Sequence, residues 1–348
     1  MRIAVDAMGG DYAPETVVEG SVLAAREYGV EIILVGHEDK VRTELARHNH
    51  NGLKIEVRHA SEVAEMHEAP SEALRKKKDS SIRVATNLVK SGEAQAVVSA
   101  GNTGVAMATA LFVLGRMADI ERPAIATIMP TLTGASIMLD VGANVDCKPI
   151  HLLQFAIMGN VFAQRILGKE SPRVGLLSIG EEETKGNELT KESFKLVRES
   201  TLNFVGNVEG RDVFNGNADV IVCDGFTGNV ALKISEGLAD AINRLLKKEI
   251  ASAATGKLGY FLLKPAFARF KKRVDYSEYG GAPLLGLNGI SIISHGRSSG
   301  KAIKNAIRVA KEFHENEINQ HIHEGIEENL SLFRERQQKN NNKMTAEA

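Results

Sequence analysis

Short apolar segments alternate with helical patterns along almost the whole chain. Apolar runs rich in β-branched residues predict strands at 3–7, 31–35, 54–58, 96–99, 124–129, 137–141, 174–178, 203–205, 220–223 and 290–294. Apolar positions three and four residues apart predict helices at 15–28, 40–48, 71–90, 105–116, 150–167, 188–199, 229–251 and 301–332. This alternation is typical of an α/β fold with a mainly parallel, doubly wound sheet in three α/β/α layers.

Composition marks few boundaries along the chain. Residues 1–333 contain no linker-like segment, and we expect them to form a single α/β catalytic domain. An amphipathic helical hairpin is predicted at 252–275, with Pro265 breaking its helix. Residues 334–348 are polar and rich in Asn and Gln, so a disordered tail is expected there.

Charge and cysteine content restrict the class of protein. The formal net charge of -1 over 348 residues gives no general attraction to nucleic acid, and no nucleic-acid partner is expected. Only two cysteines occur, Cys147 and Cys223, which favours a reducing compartment. The chain begins as a strand, and the apolar run 105–114 is too short to span a bilayer. We expect a cytoplasmic protein.

Two predicted strands run into the same G-x-T-G turn directly before a helix. The turns are 101–104 and 225–228. Glycine permits a tight turn and a close approach of ligand to backbone, and threonine can cap the following helix. The amides of a first helical turn attract anions, of which phosphate is the commonest. Both turns are therefore candidate sites for phosphate or another oxyanion.

Two lysines are candidate partners for such an anion. Lys185 lies in a glutamate-rich loop before Asn187, which can cap the next helix. It either faces the anion pocket or belongs to a solvated loop. Lys233 follows the second G-x-T-G turn, and it is either a surface lysine or a pocket residue.

Other common signatures are missing or incomplete. The sequence contains no P-loop motif, no G-x-G-x-x-G after a strand and no zinc-finger spacing, so no cofactor or metal is expected. Residues 296–300 match G-x-S-x-G, which would make Ser298 a nucleophile. However, the expected Asp and then His do not follow it in a suitable context, and a polar helix cap is favoured.

The hairpin segment combines apolar and basic residues. Such a face suits an anionic lipid surface or an acidic protein, while packing in a dimer interface is the alternative. A second basic run, 75–78, is favoured as a solvated helix face, with docking of an acidic partner as the alternative. The hairpin candidates for membrane or partner contact are Leu258, Phe261, Leu262, Lys264, Phe267, Arg269, Phe270, Lys271 and Lys272.

Taken together, these motifs resemble one known family. The matching segments are 6–11, 99–104, 139–144, 185–189, 224–229 and 279–282. They resemble the bacterial acyl-carrier-protein phosphate acyltransferases, the PlsX family, over residues 1 to about 330. The resemblance implies transfer of a long acyl chain from acyl carrier protein to inorganic phosphate, giving acyl phosphate for phospholipid synthesis. It also implies a homodimer, peripheral membrane attachment, a downstream glycerol-phosphate acyltransferase that uses acyl phosphate, and a fold similar to phosphotransacetylase and isocitrate dehydrogenase.

The resemblance also implies roles for individual residues. Lys185 or Lys233 would stabilise charge on the carbonyl oxygen, Asn229 would assist at the phosphate, and His295 would be an optional general acid. Phosphate and substrate would be bound by Gly101, Asn102, Thr103, Gly104, Asp140, Asn144, Asn187, Gly225, Thr227 and Gly228.

Two other functions remain open from the sequence. A metal-dependent dehydrogenase of the isocitrate type would hold magnesium with Asp140, Asp219 and Asp224. A non-catalytic membrane-surface scaffold would rest on the basic hairpin alone. The glycine-rich strand ends favour an enzyme, because a scaffold needs no such pocket.

Overall fold

The strands form two sheets, where the sequence pattern predicted one. A computed structural model describes residues 1–252, 256–274 and 280–346, except for the side chains at 256–258, 271–274, 334 and 336–346. The strands in this part of the chain are β1 (Arg2–Asp6), β2 (Glu31–Gly36), β3 (Ile55–His59), β4 (Ala96–Ser99), β5 (Ala124–Ile125), β6 (Thr127–Thr131), β7 (Gly134–Leu139), β8 (Val174–Leu177), β9 (Phe204–Val208), β10 (Val220–Val222), β11 (Ala282–Leu285) and β12 (Ile290–Ile293).

Both sheets are largely parallel, which confirms the predicted fold class. The first has the order β3-β2-β1-β4-β12-β11-β5 and the second the order β6-β7-β10-β8-β9. Strand β11 runs antiparallel to its two neighbours, and β6 runs antiparallel to β7. The other pairs are parallel.

Helices follow most strands. The helices described are α1 (Glu15–Tyr28), α2 (Glu38–Leu45), α3 (Pro70–Lys76), α4 (Ser81–Lys90), α5 (Thr103–Leu114), α6 (Pro149–Leu167), α7 (Glu188–Arg198), α8 (Asp212–Asn215), α9 (Gly225–Ser252), α10 (Gly256–Val274), α11 (Gly300–Glu315) and α12 (Ile318–Ala346).

The strands of the first sheet are apolar on both faces because helices cover both. Ile3 and Val5 join one buried cluster with residues of α1 and α11, whereas Ala4, between them, joins another with residues of α4. In the second sheet, α6 covers β7 and β10 and is itself covered by α7 and α12. Helix α6 has the length and hydropathy of a membrane span, but 67% of its most apolar window is buried, as expected of a core helix.

Two helix predictions were wrong. The predicted final helix 301–332 is two helices, separated at Glu317, which has a left-handed φ of 49°. Pro265 lies inside α10, which packs against α9 as a continuous helix. The backbone of residues 334–346 continues α12, and the disordered tail at 334–348 stays a prediction. Residues 347–348 lie outside the described part.

The parallel strands place the predicted motifs at two sheet edges. The carboxyl ends of β1, β4 and β12 meet at one edge of the first sheet. The carboxyl ends of β7, β10 and β8 meet at one edge of the second. The loops that follow these strands carry the glycine-bearing motifs, so ligands are expected at these two edges.

The contact between α1 and α11 predicts one stability difference. A Cβ on Gly20 would lie 2.5 Å from the carbonyl oxygen of Gly300, so Gly20→Ala is expected to lower the free energy of unfolding by about 1–3 kcal/mol. Gly237, inside α9, has open space around it, and Gly237→Ala is the control, with an expected gain of about 0.5–1 kcal/mol. Urea denaturation measures both. Equal effects of the two substitutions would contradict the close helix contact.

Candidate active site

A buried carboxylate organises the edge of the first sheet. Asp6, at the end of β1, is 3% exposed, and its Oδ2 accepts a hydrogen bond from Ser99 Oγ at 2.8 Å. Ser99 Oγ in turn accepts from the Gly101 amide at 3.1 Å. A Cβ on Gly9 would lie 2.6 Å from Asp6 Oδ2 and 2.8 Å from the Gly101 nitrogen. The two loops therefore touch only because Gly9 has no side chain.

The pKa of Asp6 reflects this burial. Loss of solvent raises the pKa of its carboxyl group above the ordinary value, and hydrogen bonds from Ser81, Ser99 and the amides of Met8 and Gly9 oppose the rise. The carboxyl group thus serves as an acceptor within the protein, away from solvent.

The first G-x-T-G turn leaves amides free for an anion. Asn102 caps α5, since its Oδ1 accepts from the Val105 amide at 3.1 Å, and the predicted cap by threonine was wrong. Its Nδ2 donates to the carbonyls of Met66 and Glu68, so the side chain is already engaged. The first-turn amides of Thr103 and Gly104 have no intrahelical partner. Thr103 is exposed, so this turn is open to a ligand.

Beside this turn lies the loop after β12. The Asp11 amide donates to the Gly296 carbonyl at 2.7 Å, and the Arg297 guanidinium lies 3.6 Å from Asp11 Oδ2 with 75% of its side chain exposed. His295 is exposed, and its Nδ1 accepts from the Arg297 amide at 3.1 Å. Sequence analysis missed Arg297, although its place directly after a strand of the same edge was a usable signal.

Ser298 does not have the geometry of a nucleophile. It is 2% exposed, and its Oγ lies 2.7 Å from Ser294 Oγ. A nucleophilic serine needs an exposed hydroxyl next to a base, so the G-x-S-x-G match is structural here.

A second buried carboxylate organises the edge of the second sheet. Asp140 is fully buried and accepts from the amides of Ile125, Ala143 and Asn144 at 2.7–3.0 Å. Asn144 also donates its Nδ2 to Asp140 Oδ2 and to the Pro123 carbonyl. Burial raises the pKa of Asp140, and these donors oppose the rise. Both residues were predicted to bind substrate, but their polar atoms are engaged in holding this turn together.

Side chains of the same segment already bind to the second G-x-T-G turn. Asp224 caps α9, with Oδ1 accepting from the Thr227 amide at 2.8 Å and Oδ2 accepting from Thr227 Oγ1 at 2.7 Å. The Gly225 amide donates to the Asn144 carbonyl at 2.7 Å. A Cβ on Gly228 would lie 1.9 Å from the Asp140 carbonyl oxygen, so glycine is required there. A carboxylate already occupies the positive end of this helix, contrary to the prediction that the turn is an open anion site.

The loop between β8 and α7 presents one free lysine. Asn187 caps α7 as predicted, because its Oδ1 accepts from the Thr190 amide and hydroxyl, both at 2.9 Å. Lys185 is exposed, and its ammonium has no ion-pair partner among the side chains that the structure describes. Lys233 instead pairs with Glu236 at 2.8 Å. Asn229 is exposed and packs beside Gly142.

The carboxylates of the dehydrogenase alternative do not converge. Asp219 precedes β10, at the amino edge of the second sheet, whereas Asp140 and Asp224 follow β7 and β10 at the carboxyl edge. Asp219 pairs with Arg173 and Lys169, which lower its pKa to about 2 against the effect of burial. Within the described residues no group of three His, Cys, Asp or Glu side chains could hold a metal.

Neither cysteine is a reactive thiolate. Burial raises the pKa of Cys147 to about 11, and it raises the pKa of the fully buried Cys223 well above the ordinary value. Both thiols stay protonated at neutral pH, so they are poor nucleophiles.

Helices α9 and α10 expose long apolar faces. On α9, Phe226, Val230, Ile234 and Leu238 repeat every four residues and are 42–64% exposed. Sequence analysis placed this helix but missed its exposed stripe. On α10, the predicted Phe261 and Leu262 are 72% and 69% exposed, with Leu263 next to them at 54%. The other described candidates are the exposed Lys264, Arg269 and Phe270, and Phe267, which stacks on Tyr260. The side chains of Leu258, Lys271 and Lys272 lie outside the described residues.

The predicted residues thus form two clusters, one at the carboxyl edge of each sheet. The first holds Gly101 to Gly104 and His295, and the second holds Lys185, Asn187 and Gly225 to Lys233. Two cavities of about 370 and 730 Å³ lie elsewhere, one between α6 and α12 and one around 116–121, and no predicted site residue lines either.

The turn built on Asp140 predicts a large stability effect. Asp140→Ala leaves three backbone amides without an acceptor in a buried site, so we expect the free energy of unfolding to fall by at least about 3 kcal/mol. The exposed Asp146 is the matched control, and Asp146→Ala is expected to change it by less than about 0.5 kcal/mol. A small loss for Asp140→Ala in urea denaturation would show that this carboxylate is not a structural support.

Comparison with known proteins shows relatives over nearly the full chain. A family model described as fatty acid synthesis protein matches residues 1–321. A protein of Geobacter sulfurreducens named phosphate acyltransferase is 59% identical over 333 residues, which cover 96% of each chain. One with the same name from Pelotomaculum thermopropionicum is 58% identical over 327 residues, covering 94% of this chain and 95% of the relative.

Solved structures share the fold at low identity. A phosphotransacetylase from Streptococcus pyogenes has a TM-score of 0.62 at 18% identity, covering 90% of this chain and 94% of that one. A phosphotransacetylase from Staphylococcus aureus has a TM-score of 0.57 at 17% identity, with the same coverage. The predicted similarity to the phosphotransacetylase fold is confirmed.

Proposed function

Because this chain belongs to the fatty acid synthesis protein family, we propose that it transfers a long-chain acyl group from acyl carrier protein to inorganic phosphate. The product is acyl phosphate, which a downstream glycerol-phosphate acyltransferase consumes in phospholipid synthesis. The observation that carries the proposal is the near-complete match to proteins named phosphate acyltransferase. An anion site at a sheet edge is the structural feature that this reaction requires.

Phosphate binds at the first G-x-T-G turn. The amides of Thr103 and Gly104 lack intrahelical partners, and the neutral Asn102 caps the helix without adding negative charge. Arg297, on the neighbouring loop after β12, is an exposed cation that also lies 3.6 Å from Asp11 Oδ2. The second turn is less suited to phosphate, because the Asp224 carboxylate already lies at its amides.

The reaction needs no protein nucleophile. A phosphate oxygen attacks the thioester carbonyl, the tetrahedral intermediate collapses, and the carbon–sulfur bond breaks to release the carrier thiolate. For this step the carboxyl edges of the two sheets must face one cleft, so that Lys185 can stabilise the oxyanion. Lys185 has no ion-pair partner among the described side chains, which favours it over Lys233, paired with Glu236. The thiolate takes a proton from water or from the exposed His295.

The exposed faces suggest where partners bind. The α9 stripe of Phe226, Val230, Ile234 and Leu238 suits a second copy of this chain, because its four residues are apolar and exposed and the neighbouring Lys233 is paired with Glu236. Helix α10 joins Phe261 and Leu262 to the basic Lys264 and Arg269, which suits peripheral attachment to an anionic membrane from the cytoplasm.

Acyl carrier protein needs a different, basic surface. Lys76 and Lys77 are neutralised by Glu72 and Glu68, whereas Arg75 and Lys78 are exposed. These two exposed cations, on and directly after α3 at the side of α5, are our candidates for docking an acidic carrier protein near the phosphate turn.

The activity itself is testable by direct assay. Protein, palmitoyl carrier protein and labelled phosphate are incubated, and acid-labile acyl phosphate is measured. Lys185→Ala is expected to reduce turnover about 10²–10³-fold, the usual cost of losing one oxyanion donor. Lys191→Ala removes an exposed lysine on α7 and is expected to retain turnover. Thioester consumption that does not depend on phosphate would reject the proposed function.

Membrane attachment is testable by vesicle flotation. Phe261→Glu places a charge on the exposed α10 face, and we expect it to reduce binding to anionic vesicles at least tenfold through lost apolar burial and added repulsion. Leu132→Glu changes an equally exposed apolar residue, 82% accessible, on the β6–β7 turn, and should bind as the wild type does. Equal flotation of all three proteins would place the membrane contact elsewhere.

A further inference from the structure

A buried asparagine at the end of β9 holds the loop that carries Lys185. Asn207 is 5% exposed, and its Nδ2 donates to the Glu182 carbonyl at 2.9 Å. Because a carbonyl oxygen can only accept, this bond fixes the orientation of the side-chain amide. Its NH₂ group faces the loop, and its oxygen faces the protein interior.

The same carbonyl connects Asn207 to Lys185. The Lys185 amide donates to the Glu182 carbonyl at 3.0 Å, so one oxygen receives both bonds. The loop has two further side-chain ties, the ion pairs of Glu181 with Arg211 and of Glu183 with Arg198, and both are exposed. Exposed pairs hold a loop weakly because solvent screens them. Asn207 is therefore the buried anchor between the sheet and the turn of Lys185.

The anchor lowers the stability of the fold. Asn207 Oδ1 is buried without a hydrogen-bond partner among the described residues, and so is Ser178 Oγ at the base of the same loop. Residues 176 and 207 are paired across β8 and β9, which puts Ser178 and Asn207 on one face of the sheet. An unpaired buried acceptor costs free energy, so this residue is not explained by stability alone and points to a functional role.

We propose that Asn207 is a positioning residue for Lys185. By fixing the Glu182 carbonyl, it keeps the turn in the conformation that directs the Lys185 ammonium toward the oxyanion of the transition state. Asn207 itself touches neither phosphate nor thioester. This inference rests on the proposed function, in which Lys185 stabilises that oxyanion.

The test replaces Asn207 by a residue with the same branching at Cγ but without polar atoms. Asn207→Leu removes both the donor and the unpaired oxygen, so we expect thermal stability to be retained. We expect kcat in the phosphate-dependent acyl-transfer assay to fall at least tenfold while KM for phosphate changes less than twofold. Asn203→Leu is the matched control, because Asn203 also donates its Nδ2 to a backbone carbonyl, that of Ser171, but at the opposite end of β9. It should retain kcat.

A double-mutant cycle separates positioning from general damage. If Asn207 acts through Lys185, adding Asn207→Leu to Lys185→Ala causes no further loss of kcat. Independent, multiplicative losses would overturn the inference, and so would a wild-type kcat in Asn207→Leu. Should Asn207→Leu fail to fold, Asn207→Ala is measured in the same cycle with the same expectations.

The possible results separate a failure of the proposed function from a failure of the positioning role of Asn207. A wild-type protein without phosphate-dependent thioester consumption rejects the proposed function and the inference together. If the Lys185→Ala variant is as active as the wild type, both the role of Lys185 and the positioning role of Asn207 are rejected. Loss in Lys185→Ala with no loss in Asn207→Leu rejects the positioning role alone.

Discussion

The two sheet edges depend on carboxylates buried at the ends of β1 and β7. Asp6 and Asp140 lie out of solvent, and each accepts hydrogen bonds both from the loop after its own strand and from another strand. The donors are Met8 and Ser99 for Asp6, and Asn144 and Ile125 for Asp140. Each carboxylate fixes one loop, and a glycine without a side chain lets the next loop approach it, at Gly9 in the first sheet and at Gly225 and Gly228 in the second. The geometry of both helix N-termini follows from these close approaches.

The same motif has different electrostatics at the two edges. Helix α5 is capped by the neutral Asn102, so its positive end remains available to an external anion. Helix α9 is capped by the carboxylate of Asp224, which supplies the anion from within the chain. We therefore propose that phosphate binds at the first edge, while the second edge carries the loop of Lys185 and the start of the apolar α9 stripe.

The local patterns of the sequence predicted the elements well, because strands buried on both faces are short continuous apolar runs and one-sided helices keep a helical period. They did not predict which strands belong to which sheet. Strand β5 lies in the first sheet and β6 in the second, although both come from one run, 124–131, with only Ala126 between them. Pro265 was expected to end a helix, but tertiary packing against α9 accompanies a continuous α10.

The location of the loops at the candidate site was predictable from the sequence, but the contacts of their side chains were less so. Glycine-bearing turns after strands located both edges, and Asn187 was recognised as a cap. The full engagement of Asp140, Asn144 and Asn102 could not be foreseen, because each has at least one backbone partner distant in sequence. These partners are the backbone groups of Ile125, Pro123 and Met66 respectively. Arg297 could be located only as a residue beside a strand end, because its partner Asp11 is far from it in sequence.

The most direct measurement is a crystal structure of the protein with arsenate, whose arsenic is located by anomalous scattering and whose shape is that of phosphate. The account predicts an arsenic peak within hydrogen-bonding reach of the Thr103 and Gly104 amides, beside Arg297. A well-occupied peak at the α9 turn instead, or an empty α5 turn at saturating arsenate, would contradict it.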